Sequence, residues 1–192
     1  MCSSDLACFR QHPQQPEVQA TALHNSAIAC LRLGDFESAR LRFGQVMESG
    51  WPGHWREQGR LGVMVPNALA FLEALQGNSA EALRLQEVAL GRVPERARGA
   101  WRVVEVVVAL RQGRVEEATK WLQLLTAQPS APQREAVLGI LWGFAMTQQG
   151  VELATERIAV LQQVPGSREW LGTHWPELST WMQERGVQAL KS

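Results

Sequence analysis

The chain has 192 residues, 45% of them apolar and 20% charged, which is enough for one domain with its own core. Nineteen basic and nineteen acidic side chains cancel, so no global field draws the chain to nucleic acid or to an anionic membrane. No run approaches the roughly 18 apolar residues of a membrane span.

Met1 to Leu6 is compatible, as GTG TGC TCT TCC GAT CT, with the end of a common sequencing adapter. Residues 1–6 are therefore expected to be a read artefact outside the fold, with the gene extending upstream. His12-Pro13-Gln14-Gln15-Pro16 is a polar entry, and Pro16 suits the first turn of a helix. From Glu17 to Leu33 apolar residues fall at helical spacing. Gly34 ends that helix in a left-handed conformation, and Asp35 is placed to cap a second helix from Phe36 to Ser49. Gly50, Pro52 and Gly53 break it. Trp51 to Met64 reads as an insertion, with Pro66 expected in the first turn of a helix that ends at Gln76 and Gly77. Helices are then expected at Ser79–Gly91, Ala97–Gln112, Val115–Gln128, Gln133–Gln149 and Val151–Val164, separated by Pro94, Gly113, Pro129 with Pro132, and Gly150. Val103-Val104 and Val106-Val107-Val108 have strand propensity, but the helix signals on both sides outweigh it. Pro165-Gly166 turns the chain, Ser167 caps a short helix, and Pro176 opens a last one that ends at Gly186.

A spacing organises these elements. Gly34 is followed five residues later by Ala39, Gly77 by Ala82, and Gly113 by Ala118. Gly150 continues the series, with steps between glycines of 43, 36 and 37 residues. Such a period, filled with helix-type sequence, marks a stack of helix–turn–helix units.

No catalytic constellation accompanies it. His12, His24, His54 and His174 are scattered, and neither they nor Cys2, Cys8 and Cys30 have the spacing of metal ligands. The odd cysteine count fits thiols in a reducing compartment, so a cytoplasmic location is expected. There is no Gly-x-Ser-x-Gly nucleophile turn and no phosphate-binding Gly-x-x-x-x-Gly-Lys loop. No catalytic residue, metal or cofactor is assigned. Arg92, Arg96, Arg98 and Arg102 cluster at one turn as a candidate anion patch, although seventeen arginines against Lys120 and Lys191 reflect a GC-rich coding bias. Trp51 and Trp55 crowd the insertion, and Trp170, Trp175 and Trp181 crowd the C-terminal end, as interface anchors or as plugs in the stack.

Ala22-Leu23 through Pro52 resembles a tetratricopeptide repeat, most closely at Leu33-Gly34-Asp35-Phe36-Glu37-Ser38-Ala39 and Phe43. Ala70, Gly77, Ala82, Ala89 and Pro94 continue the pattern, with Gln86 where a large apolar residue is usual. Gly113, Ala118, Leu122 and Leu125 form a third unit, with Val106 at a small-residue position. Gly143 and Gly150 mark a degenerate fourth unit, in which Thr155 stands for Ala. The resemblance runs from Ala20 to Val164. It implies an all-α, right-handed α-solenoid of antiparallel helix pairs, about four of them across residues 7–166, with capping helices over 167–192. It implies a protein or peptide partner, with no direct contact to nucleic acid or membrane. The concave groove of such a stack would be lined by His24, Asn25, Ile28, Arg32, Asn67, Phe71, Val103, Val107, Arg111, Ile140, Phe144 and Gln148. Val103 and Val107 stand where a clamp for a terminal carboxylate would need charge, so an apolar peptide groove is expected. The 43-residue first step and the expected upstream truncation point to an alternative, the C-terminal sensor or scaffold part of a larger bacterial signalling or transcriptional regulator.

Overall fold

The computed structural model describes residues 16–48, 60–127, 132–151 and 169–186. Among them are nine α-helices, two short 3-10 turns and no strand. The helices are α1 (Pro16–Arg32), α2 (Phe36–Glu48), α3 (Arg60–Gln76), α4 (Ser79–Leu90), α5 (Glu95–Arg98), α6 (Val103–Arg111), α7 (Val115–Thr126), α8 (Pro132–Gln148) and α9 (Pro176–Glu184). Met1 to Leu6, Cys8, His12, Trp51, His54, Trp55, Thr155, the helix expected at Val151–Val164 from its second residue on, and the cap at Ser167 lie outside the described residues.

The four glycine turns have one construction. Gly34, Gly77, Gly113 and Gly150 all take positive φ, between 71° and 89°. At each, the glycine N–H donates to the carbonyl three residues back, and the next N–H donates to the carbonyl five residues back. Asp35 N to Cys30 O, Asn78 N to Glu73 O, Arg114 N to Ala109 O and Val151 N to Met146 O are the four long closures. Both bonds satisfy carbonyls that the end of a helix leaves without a partner. After three of the turns the repeat alanine closes the first bond of the next helix. Ala39 N donates to Asp35 O, Ala82 N to Asn78 O and Ala118 N to Arg114 O. Asp35 also caps α2 with its side chain, accepting from Ser38 N at 3.0 Å.

Packing follows the same period. α1 packs on α2, α3 on α4, and α6 on α7. The first helices touch in series, α1 on α3, α3 on α6 and α6 on α8, while α2, α4 and α7 each touch the first helix of the next unit. Ala39, Ala82 and Ala118 are completely buried, as are Ala27, Ala70 and Val106 in the facing helices. Small side chains at these crossings let helix axes approach to about 8–10 Å. Phe43, Leu72, Leu75, Leu122, Leu125 and Leu141 fill the space between, each contributing about 1.5–3 kcal/mol by burial. Val104, Val106, Val107 and Val108 of α6 are buried within a helix, where the neighbouring helices override their strand propensity.

Two departures from the expected elements have physical causes. Pro66 lies inside α3 and not in its first turn. A proline there has no N–H to give the carbonyl four residues back. That carbonyl, on Gly62, instead accepts from Arg92 Nη1 at 2.5 Å. The helix expected from Ala97 to Gln112 is divided into α5, a 3-10 turn at Gly99–Trp101, and α6. Gly99 weakens a helix interior by about 1 kcal/mol. The break is held from outside: Gln86 Nε2 donates to Trp101 O at 2.7 Å, and Arg134 donates to Ala100 O. This accounts for Gln86, which is 1% exposed where its counterparts are Phe43 and Leu122.

A polar link ties the first unit to the second. Glu73 is buried, pairs with Arg40 at 2.7 Å, and accepts from Asn78 Nδ2 at 2.7 Å at the turn that follows. Nothing in the spacing of the sequence announces it.

Candidate functional site

The twelve residues expected to line a groove fall into rows on α1, α3, α6 and α8. His24, Asn67, Val103 and Ile140 stand ten residues before the turn glycines, and Ile28, Phe71, Val107 and Phe144 stand six before. Arg32, Arg111 and Gln148 stand two before, with Asn25 beside the first row. The serial contacts of α1, α3, α6 and α8 bring these rows together. Asn25, Arg32 and Gln148 face solvent, and Ile28, Asn67, Val103 and Arg111 are half-buried. His24, Phe71, Val107, Ile140 and Phe144 are buried. Val107 and Ile140 are core residues, and His24 packs its ring against Phe43 at 5.8 Å. The Asn67 Oδ1 atom is buried and has no hydrogen-bond partner among the described residues.

Phe71 and Phe144 are covered by the chain's own C-terminal segment. Trp170 meets Phe71 edge-on at 6.1 Å. Trp175 and Trp181 meet Phe144 at 5.4 and 6.1 Å, both nearly perpendicular. Such edge-to-face pairs contribute roughly 0.5–1.5 kcal/mol each beyond their burial. The Trp181 indole N–H donates to Thr147 Oγ1 at 3.0 Å, and that hydroxyl in turn donates to Gly143 O. His174 lies against Phe36 at 4.9 Å. A segment expected to cap the last unit thus reaches back to residues of the first and second. Its apolar side chains Leu171, Trp175, Leu178, Trp181 and Met182 are buried, while Glu169, Glu177, Gln183 and Glu184 face water. Low polarity on one side and charge on the other let it lie along the face of the helices.

Arg111 fastens the segment. Its Nη1 donates to Leu75 O at 2.7 Å, at the end of α3, and to His174 O at 3.0 Å. The guanidinium also lies over the Trp175 ring at 5.2 Å. Burial pulls its pKa below the ordinary value, and the Glu177 carboxylate pushes it up. It remains a cation at neutral pH.

The arginine patch is largely consumed within the fold. Arg92 serves Gly62 O, and Arg98 Nε serves Val93 O at 3.1 Å. Arg102 pairs with Glu105 at 2.7 Å and stacks over Trp121 at 4.8 Å. Arg96 faces water. Burial pushes the Glu105 carboxyl above its ordinary range, although Arg102 acts in the opposite direction. Cys30 is buried, with Arg42 donating to its sulfur. Among the described residues no three His, Cys, Asp or Glu side chains converge, and no helix is long and apolar enough to cross a membrane.

Sequence reasoning singled out the C-terminal tryptophans but not where they dock. Thr147 and His174 had no signal at all, because their partners lie 34 and 63 residues away in the chain. No protein-family model matches the chain, and no curated protein or solved structure matches it significantly.

Proposed function

We propose that this chain is a non-catalytic helical-repeat module, a right-handed solenoid of the tetratricopeptide type, which holds a protein or peptide on the face formed by its first helices. One observation carries the reading: two positions counted from the turn glycines have the same buried environment after three successive turns. The positions five after the glycine are Ala39, Ala82 and Ala118, and those twelve after it are Val46, Ala89 and Leu125; all six are completely buried. A stack of equivalent units presents a continuous surface on its serially touching helices. A rigid surface of this kind binds with little ordering cost of its own. Arg32 and Gln148, the ends of one row, and Asn25, beside another, are open to solvent.

A photo-crosslinking residue placed at Asn25 or Gln148 tests this against one at Leu41 or Leu124, which are 64% and 54% exposed on second helices. In extracts of the source cells, a discrete adduct at the first-helix positions and none at the second-helix positions is expected. Adducts confined to Leu41 and Leu124 would move the binding surface to the opposite helices and end the reading.

A further inference from the structure

We propose that the segment Glu169–Arg185 is an exchangeable cis ligand of the first-helix face, and that this face selects acidic amphipathic segments bearing indole rings. The inference rests on the peptide-binding reading above and deepens it by naming the chemistry of the ligand.

The segment sits on the repeat-equivalent positions themselves. Phe71 and Phe144 occupy the same place in two units and receive the same kind of partner, a tryptophan edge. The indoles that reach them, Trp170, Trp175 and Trp181, are spaced five and six residues apart. Large aromatic rings with a polar edge are the side chains that most often anchor a protein interface. Trp181 uses both parts, its ring on Phe144 and its N–H on Thr147.

Charge contributes at one point, where Glu177 of the segment acts on Arg111 of the face beneath. The exposed side of the segment also carries Glu169 and Glu184, with Arg185 the one Lys or Arg between Glu169 and Gly186. Arg111 recognises a carbonyl of the segment, its Trp175 ring and the field of Glu177, none of which depends on the segment being part of the same chain.

The segment also has its own local structure. Gly172 lies so close to α9 that an added Cβ would stand 2.8 Å from Ser179 Cβ. Trp175 N donates to Gly172 O and Ser179 N to Trp175 O, which joins the 3-10 turn at Glu169–Gly172 to α9. A segment that folds on itself can dock and leave as a unit, the behaviour of a cooperative sub-global element.

The test starts from the full chain, folded before any cut, with a specific protease site inserted between Gly166 and Ser167. A fluorescein-labelled peptide of residues 167–186 is added before and after cleavage. The uncut protein is expected not to bind it. The cut protein is expected to take it up one to one, with its helical circular dichroism retained. Peptides carrying Trp175→Ala with Trp181→Ala are expected to bind roughly tenfold or more weakly. Replacing the three glutamates by lysine is expected to weaken binding in a salt-dependent manner. Collapse of the helical signal after cutting, or a cut segment that never exchanges, would overturn the proposal by making the segment a fixed part of the core. Equal binding of the alanine and lysine peptides would overturn the assigned chemistry. Failure of exchange with crosslinks still present at Asn25 and Gln148 would remove this inference and leave the module reading standing. Exchange without any such crosslink would sink the external partner alone.

Discussion

The glycine turns and the C-terminal segment are held by different kinds of information. Each turn is closed within six residues, by a glycine of positive φ and two backbone bonds that any neighbouring side chains would permit. The C-terminal segment is held by three rings and one guanidinium, each from a different one of the four expected units. A local code can repeat, because each copy needs only its own residues. A docking surface of this kind cannot be assembled until the helices that carry it have packed together. It follows that the turns set the architecture and the segment depends on it.

The largest effect is expected where the two meet. Phe144 is 4% exposed, belongs to the fourth unit and carries two indoles of the segment. Phe144→Ala is expected to cost about 3–5 kcal/mol in chemical denaturation. The tryptophan fluorescence should shift to the red in the native baseline, since Trp175 and Trp181 lose their cover. A variant of unchanged stability would mean that Phe144 is only a groove side chain and that the segment adds nothing to the stack.

A smaller effect is expected inside the repeating part. Ala82 and Ala118 are completely buried at helix crossings. Ala82→Leu or Ala118→Leu is expected to destabilise by about 1–3 kcal/mol through overpacking. The two losses should be alike, because the sites are equivalent, and thermal melts read both. Wild-type stability in both variants would break the register of the units. Loss in one alone would confine the equivalence to part of the stack.

The all-helical character and the positions of the turns were legible because glycine, a following capping residue and a buried alanine are local signals with direct backbone consequences. Pro66 was misplaced because its tolerance inside α3 depends on Arg92, which lies in the turn after α4, 30 residues along the chain from Gly62. The division of the helix over 97–112 was hidden for a related reason: its carbonyls are met by Gln86 and Arg134 from elsewhere in the chain. Gln86 did stand out as a polar residue at an apolar repeat position. That anomaly, with Gly99 inside the expected helix, was the sequence trace of the break. At the candidate site, the rows could be read from spacing, but their covering could not. Spacing gives no direction to a tryptophan that lies beyond the last unit.

Acid sharpens the contrast between a regular turn and the break. Asp35, at the first turn, has its pKa lowered by the hydrogen bonds from Ser38. Its stabilising contribution is present above the ordinary value of 3.8 and is lost as pH falls through the lower folded value. Glu105, beside the break, has its pKa raised by burial. Between the ordinary value of 4.5 and the raised folded value the native state holds the extra proton, so stability falls as pH rises through that window. Glu105→Gln keeps the shape and removes the charge. At pH 7 the variant is expected to melt above the wild type, with the difference shrinking as the pH approaches 4.5 and below. The variant melting lower at neutral pH would show that the pair with Arg102 outweighs the desolvation of the carboxylate. The break would then be stabilised by its ion pair, with the carbonyl contacts of Gln86 and Arg134 secondary.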